Sequence, residues 1–336
     1  MAGAGQFHID ISEAPRLRRR FLWAARRVGI GLLMLLIVSG LIFAATQALP
    51  GDIATMILGK DASAEQIAVL RTQLRLDQPL IVQYGSWLAG IPFGDFGQSI
   101  AAKLPVSRLI GPRIVNSFTL VAISMSMALP TSVILGLLAA SYKDRWLDRL
   151  LLGTSLAVNS LPEFVLALLL VVIFSTNVFH ILPAVSILSP EKSILYQTQA
   201  VMLPVATLFL LQTTYLYRLV RASVIDVLAT DYIQFAELRG LSTRRILFRH
   251  ALPNAAVPAI QAAATVFAFS VGGVVVIEYA FGFPGIGTAL TDAVGNRDIA
   301  VVQFIVLLIA VTFFLANMVA DIVAAVLTPP GRGDST

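Results

Sequence analysis

Six long stretches of this chain are almost free of charge: residues 28–49, 117–140, 150–178, 201–217, 257–277 and 299–320. A helix crosses a bilayer core with about 20 apolar residues, each rising about 1.5 Å. Backbone polar groups find no water there, so such runs must be helical. The pattern predicts an all-α polytopic membrane protein with six transmembrane helices. Glu163 alone interrupts the third run. Pro162, Pro204 and Pro258 fall in runs three to five, and membrane helices accept proline more readily than soluble ones. The first run follows six arginines and ends in "FAATQA", as a cleavable signal does. Its apolar core is longer than the roughly 7–15 residues of a secretory signal, which predicts an uncleaved helix.

Charge placement orients the bundle, because lysine and arginine favour short cytoplasmic loops. Six arginines precede the first run (Arg16, Arg18, Arg19, Arg20, Arg26, Arg27). Lys143, Arg145 and Arg149 occupy the 141–149 loop, and six more basic residues lie in 218–250. The 179–192 and 278–298 loops hold only Lys192 and Arg297. Both termini and the 218–250 loop are expected in the cytoplasm, with 50–116 outside. Only 13% of residues are charged, against about 25% in soluble domains. The net charge of +5 follows the membrane-side bias, so lipid rather than nucleic acid is the expected partner.

Catalytic motifs are absent. The Gly59-Lys60 pair is followed by Asp61 and has Ala54 where a phosphate-binding loop needs its first glycine. His8, His180 and His250 stand far apart, unlike the paired histidines of a zinc protease. No Gly-x-Ser-x-Gly elbow occurs, and the lack of cysteine removes thiolate chemistry.

The apolar plan is interrupted by "FAELRGLSTRRILFRHALPNA" at 235–255. Residues 231–239 read as a short helix closed by Gly240, which readily adopts the left-handed conformation past a helix end. Ser242 is placed to cap a second helix. Leu241, Phe248 and Leu252 are spaced to share its face, and Pro253 stops it. Arg244 and Arg245 oppose the dipole in its first turn, which calls for an anionic neighbour or lipid head groups. Two readings stay open from the residues alone: a knob that docks a protein, or a basic loop resting on anionic lipid.

Gly240, Leu252 and Pro253 stand at the spacing of the coupling loop of ATP-binding-cassette (ABC) importer permeases, which this segment resembles. Ala236 matches the last residue of the family's Glu-Ala-Ala, while Gln234 and Phe235 replace the first two and His250 replaces an isoleucine. The peptide branch often reads Ala-Arg-Ala-Lys-Gly-Leu-Ser where this chain has Ala236-Glu237-Leu238-Arg239-Gly240-Leu241-Ser242. Other blocks fit in order: "LPGD" at 49–52, "LRLDQPLIVQYGSWLAG" at 74–90 and "FGDFGQS" at 93–99. Glu278, Phe281, Pro284, Gly285 and Gly287 follow, then "NRDIAVVQ" at 296–303. The usual terminal Asp-Pro-Arg is replaced by "TPPGRGD".

The chain is thus similar to dipeptide, oligopeptide and nickel permeases, and "LPGD" resembles the first of the two unlike permeases such systems pair. The resemblance implies a type I ABC importer permease fold in a bacterial inner membrane. It divides the chain into a tail (1–27), a first helix (28–49), an external subdomain (50–112), a permease core (113–328, coupling loop 231–255) and a tail (329–336). It implies a non-catalytic subunit that binds no cofactor, with ATP and magnesium used by partner ATPases. The partners implied are a second, unlike permease, two cytoplasmic ATPases and an extracytoplasmic solute-binding protein. Peptides are the first cargo class implied; nickel complexes, glutathione, opines and glycosides are the others. Ala236, Glu237, Arg239, Gly240, Leu241, Arg244, Arg245, Leu252 and Pro253 are the implied coupling residues, the three arginines facing either ATPase acids or lipid.

Glu163 lies near mid-span, where a carboxylate costs several kcal/mol unless it meets water or a partner. With Asn159 and Ser160 it reads as lining a translocation path and meeting an amine or cation, or else as a structural partner for another helix. Glu278 and Asp321 sit at span ends, where charge is cheap, and read as anchors. Residues 64–74 have helical spacing and belong to an external cap that docks the binding protein or covers the pore mouth. The competing class is a secondary transporter or channel without ATPases, although no internal repeat of that class is visible.

Overall fold

The computed structural model describes residues 14–47, 55, 58, 62–73, 77–189 and 193–327; the "LPGD" block and Lys192 lie outside these. Twelve α-helices order the described residues, with short 3-10 or π segments between some of them. They are α1 (Ala14–Gln47), α2 (Ala64–Gln73), α3 (Leu80–Gly90), α4 (Val106–Ser141), α5 (Trp146–Ser160) and α6 (Glu163–Val171). Then follow α7 (Thr198–Leu228), α8 (Asp231–Leu238), α9 (Thr243–Ile246), α10 (Leu252–Phe281), α11 (Ile286–Gly295) and α12 (Ile299–Leu327). No strand occurs among the described residues beyond an isolated bridge between Gln98 and Pro105.

Among the described residues, five segments are single helices long and apolar enough to cross a membrane: α1, α4, α7, the run from Thr243 to Phe281, and α12. The third expected span departs from a single helix. It is α5 and α6, bent by 102°. Pro162 lacks the N–H that would continue the ladder and disfavours the helical conformation in the residue before it. Leu161 accordingly turns extended, with φ −84° and ψ 135°. Asn159 and Ser160 donate to the carbonyls of Ser155 and Leu156, back-bonding that favours bending. Pro204 and Pro258 stay within continuous helices.

The main apolar core gathers Leu120 and Val121 of α4, Leu203 and Leu208 of α7, Val274 and Ile277 of α10, and Ile305 of α12. Serines stitch the helices: Ser132 donates to the Thr213 carbonyl and Ser155 to that of Thr214. Such bonds and small residues hold helices together where lipid removes the hydrophobic drive. On one side of the bundle Arg221 grips Asp148 with two bonds of 2.6 Å, fixing α5 to α7. Asp148 is 1% exposed. Helix α7 continues well past residue 217, where its uncharged run ends, as far as Leu228. The first helix keeps Leu33, Met34 and Leu41 exposed and packs on α12, with Arg27 and Asp321 paired at 2.7 Å.

Glu278 corrects the expectation of an edge charge: its side chain is fully buried. Ser117 of α4 donates to its Oε1 at 2.5 Å, and the Gly287 N–H donates to its Oε2 at 2.6 Å. The carboxylate thereby occupies the positive end of α11. Asn116 adds a bond to the Pro284 carbonyl. Three elements, α4, α10 and α11, are locked together by this cluster. A second latch joins the 97–105 loop to α12, where Asp298 accepts from Ser99 and from the Ala101 N–H.

Candidate functional site

The 231–255 segment folds as a knob. Helix α8 ends in a Schellman motif, with Gly240 N–H bonded to the Glu237 carbonyl and Leu241 N–H to that of Ala236. Gly240 takes φ +76°, a conformation glycine alone adopts without a Cβ penalty. Leu241 folds back on a small core of Ile233, Ala236 and Ile246. Ala236 is therefore buried and shapes the knob from within. Glu237, Arg239, Arg244 and Arg245 lie on its exposed surface.

Two expectations for the second helix fail for one reason. Residues 247–251 form a π turn, in which the Leu252 N–H reaches the Leu247 carbonyl five residues back. Pro253 then sits in the first turn of α10, where its missing N–H is harmless. It does not stop the helix, which runs on into the fifth span. The wider turn also rotates the faces. Phe248 is 57% exposed, while Leu247, Ala251 and Leu252 pack towards Leu137, Val220 and Val224 of α4 and α7. Ser242 occupies the N-cap position but makes no side-chain cap bond. The exposed apolar residues Phe235, Leu238 and Phe248 join the candidate contacts; their mark in the sequence is bulk within a charged loop.

The bend in the third span opens a second site. A cavity of about 350 Å3 is lined by Glu163, Asn159, Gln212, Tyr215, Phe269 and Ser270, among others. Ser160 lies outside it, exposed and bonded to its own helix. Glu163 lies against the backbone of Gly273; its Oε1 would stand 3.2 Å from a Cβ there. Gln212 and Ser270 escaped the sequence reading, although a glutamine inside an apolar run is itself a signal. Among the described residues, no group of three or more His, Asp or Glu side chains could hold a metal.

Comparisons with known proteins converge. Residues 132–330 match the family described as binding-protein-dependent transport system inner membrane component, and 19–130 match its N-terminal family. A glutathione transport system permease protein of Salmonella typhimurium is 38% identical over 300 residues, spanning 89% of this chain and 94% of that protein. A putative peptide transport system permease protein of Brucella abortus is 34% identical over 309 residues, spanning 92% and 98%. Among solved structures, a chain of the MetNI methionine ABC transporter, in inward-facing conformations, superposes with a TM-score of 0.56 at 14% identity. It covers 66% of this chain and 97% of that one, and shows the fold. Family membership implies an ATPase and a binding protein as partners. The chain belongs to the binding-protein-dependent transport inner membrane component family and is a multi-pass inner-membrane permease of the peptide type of ABC importer.

Proposed function

We propose that the knob at 231–255 seats in a cytoplasmic ATPase and that this chain pairs with a second, unlike permease to enclose the path. Peptides, glutathione included, are the cargo. Support for the cargo comes from the two relatives named above, whose own names state glutathione and peptide. The ATPases bind ATP and magnesium, and this chain binds neither. An external binding protein delivers the cargo to the face formed by 50–112. Both termini lie in the cytoplasm with the knob. ATP and loaded binding protein drive the cycle only by preferring different states of the bundle.

The observation that carries the docking assignment is the closed, stiff knob. It combines a Schellman turn and an internal core with exposed Phe235, Leu238 and Phe248 beside Arg239, Arg244 and Arg245. A lipid-resting loop needs no such internal closure. Gly240→Val tests it. No atom lies within 4 Å of a Cβ at 240, so the variant strains only the left-handed turn. The expected result is a membrane-inserted chain that no longer retains the ATPase on purification or no longer couples hydrolysis to uptake. Uptake at the wild-type rate overturns the assignment.

A further inference from the structure

The cavity at the bend holds hydrogen-bond acceptors that the protein leaves without donors. Ser270 donates its hydroxyl to the Val266 carbonyl at 2.8 Å, so its oxygen is free only to accept. Gln212 supplies that donor through Nε2 at 3.0 Å, which fixes the amide and leaves its Oε1 as an acceptor. Gln212 Oε1 has no partner, and neither does Glu163 Oε2, although both atoms are shielded from solvent. Asn159 spends an amide hydrogen on the Ser155 carbonyl. Among the described residues, no lysine, arginine or histidine lines the cavity. Arg218, one turn along α7, is directed to the Tyr215 ring, 5.8 Å from its centroid.

The depth makes this imbalance costly. Gln212 stands at the middle of the 31-residue α7, and Glu163 stands where the third span breaks. A carboxylate at that depth is stable only with water or a partner. An ammonium group brings three N–H donors and a positive charge, the chemical complement of the two open acceptors that line this cavity. Tyr215 and Phe269 present aromatic surface in the same cavity, and ring faces attract cations.

We propose that this cavity receives the ammonium group of the cargo, with Glu163 as counter-ion and the Gln212 carbonyl as second acceptor. The proposal rests on the reading of the chain as a peptide permease and adds which end of the cargo is recognised inside the membrane. A peptide's amino terminus is the matching group. A neutral or N-acylated cargo lacks the charge and two of the donors.

The test uses the assembled permease–ATPase complex in nanodiscs, with alaninamide as the cationic probe and N-acetylalaninamide as its neutral counterpart. Thermal protection is measured against probe concentration. Alaninamide is expected to protect the wild type and N-acetylalaninamide is not. Glu163→Gln should weaken protection about tenfold, the scale of one charge-assisted hydrogen bond, and Gln212→Met should weaken it less. Equal effects of the two probes, no protection of the wild type, or unchanged protection in both variants overturns the ammonium site. If Glu163→Gln fails to assemble, Gln212→Met decides alone. Uptake of a dipeptide with the binding protein present is measured in parallel. Discrimination between the probes without dipeptide uptake overturns the cargo reading and supports the site. Dipeptide uptake without discrimination overturns the site and supports the cargo reading.

Discussion

At the scale of the residue, Glu278 shows how a buried charge is made tolerable. Its carboxylate accepts from Ser117 and Gly287 and lies at the start of α11. Gly287 is required by close approach. A Cβ there would meet the Val275 backbone as well as Glu278 Oε2, so neither helix accommodates it without moving. Gly287→Ala should cost about 1–3 kcal/mol, as overpacking does. Gly295→Ala, with open space around it, should be neutral or stabilising by up to about 1 kcal/mol. Thermal unfolding of the two purified variants checks the contrast. The sequence placed Glu278 beside a glycine–proline turn, but its chief partner Ser117 is 161 residues away and no local pattern joins them. Gln212 went unread, although it stands as a polar residue in an apolar run. Its unpaired oxygen was not legible, because it depends on which way Ser270 donates.

Among the described elements, five of the apolar runs correspond to single long helices and the third to a pair bent by 102°, and local chemistry set their ends. Pro162 was visible, yet four prolines lay in the apolar runs (Pro130, Pro162, Pro204 and Pro258) and only Pro162 breaks its helix. The polar pair before it, Asn159 and Ser160, distinguishes it. The π turn at 247–251 has no comparable mark, so a face drawn at ordinary helical spacing misplaced Phe248. The start of α5 is held by the Asp148–Arg221 pair. Removing one partner of such a buried pair strands the other charge and typically costs about 3–5 kcal/mol. Asp148→Ala should therefore unfold well below the wild type, and Asp148→Ala combined with Arg221→Met should recover part of the loss. Melting curves of the detergent-solubilised chains measure both.

For the whole molecule, the proposed sidedness rests on basic residues in short loops and can be tested directly, because the chain has no native cysteine. Single cysteines at the exposed positions Ser86 and Ser242 report opposite faces. An impermeant maleimide added outside intact spheroplasts should label Ser86→Cys, and Ser242→Cys only after permeabilisation; the reverse pattern inverts the topology. The continuous helical run from Thr243 to Phe281 then takes on a mechanical meaning. Its 39 residues measure about 58 Å. One end belongs to the knob, and the other carries the Glu278 cluster that grips α4 and α11. The π turn at 247–251 and Pro258 lie along this run, and if it turns as one body a tilt of roughly 5° at one end sweeps the other through about 5 Å of arc. Under the proposed docking of the knob, the fifth span serves as a tiller that carries a push at the knob towards the Glu278 cluster at its other end.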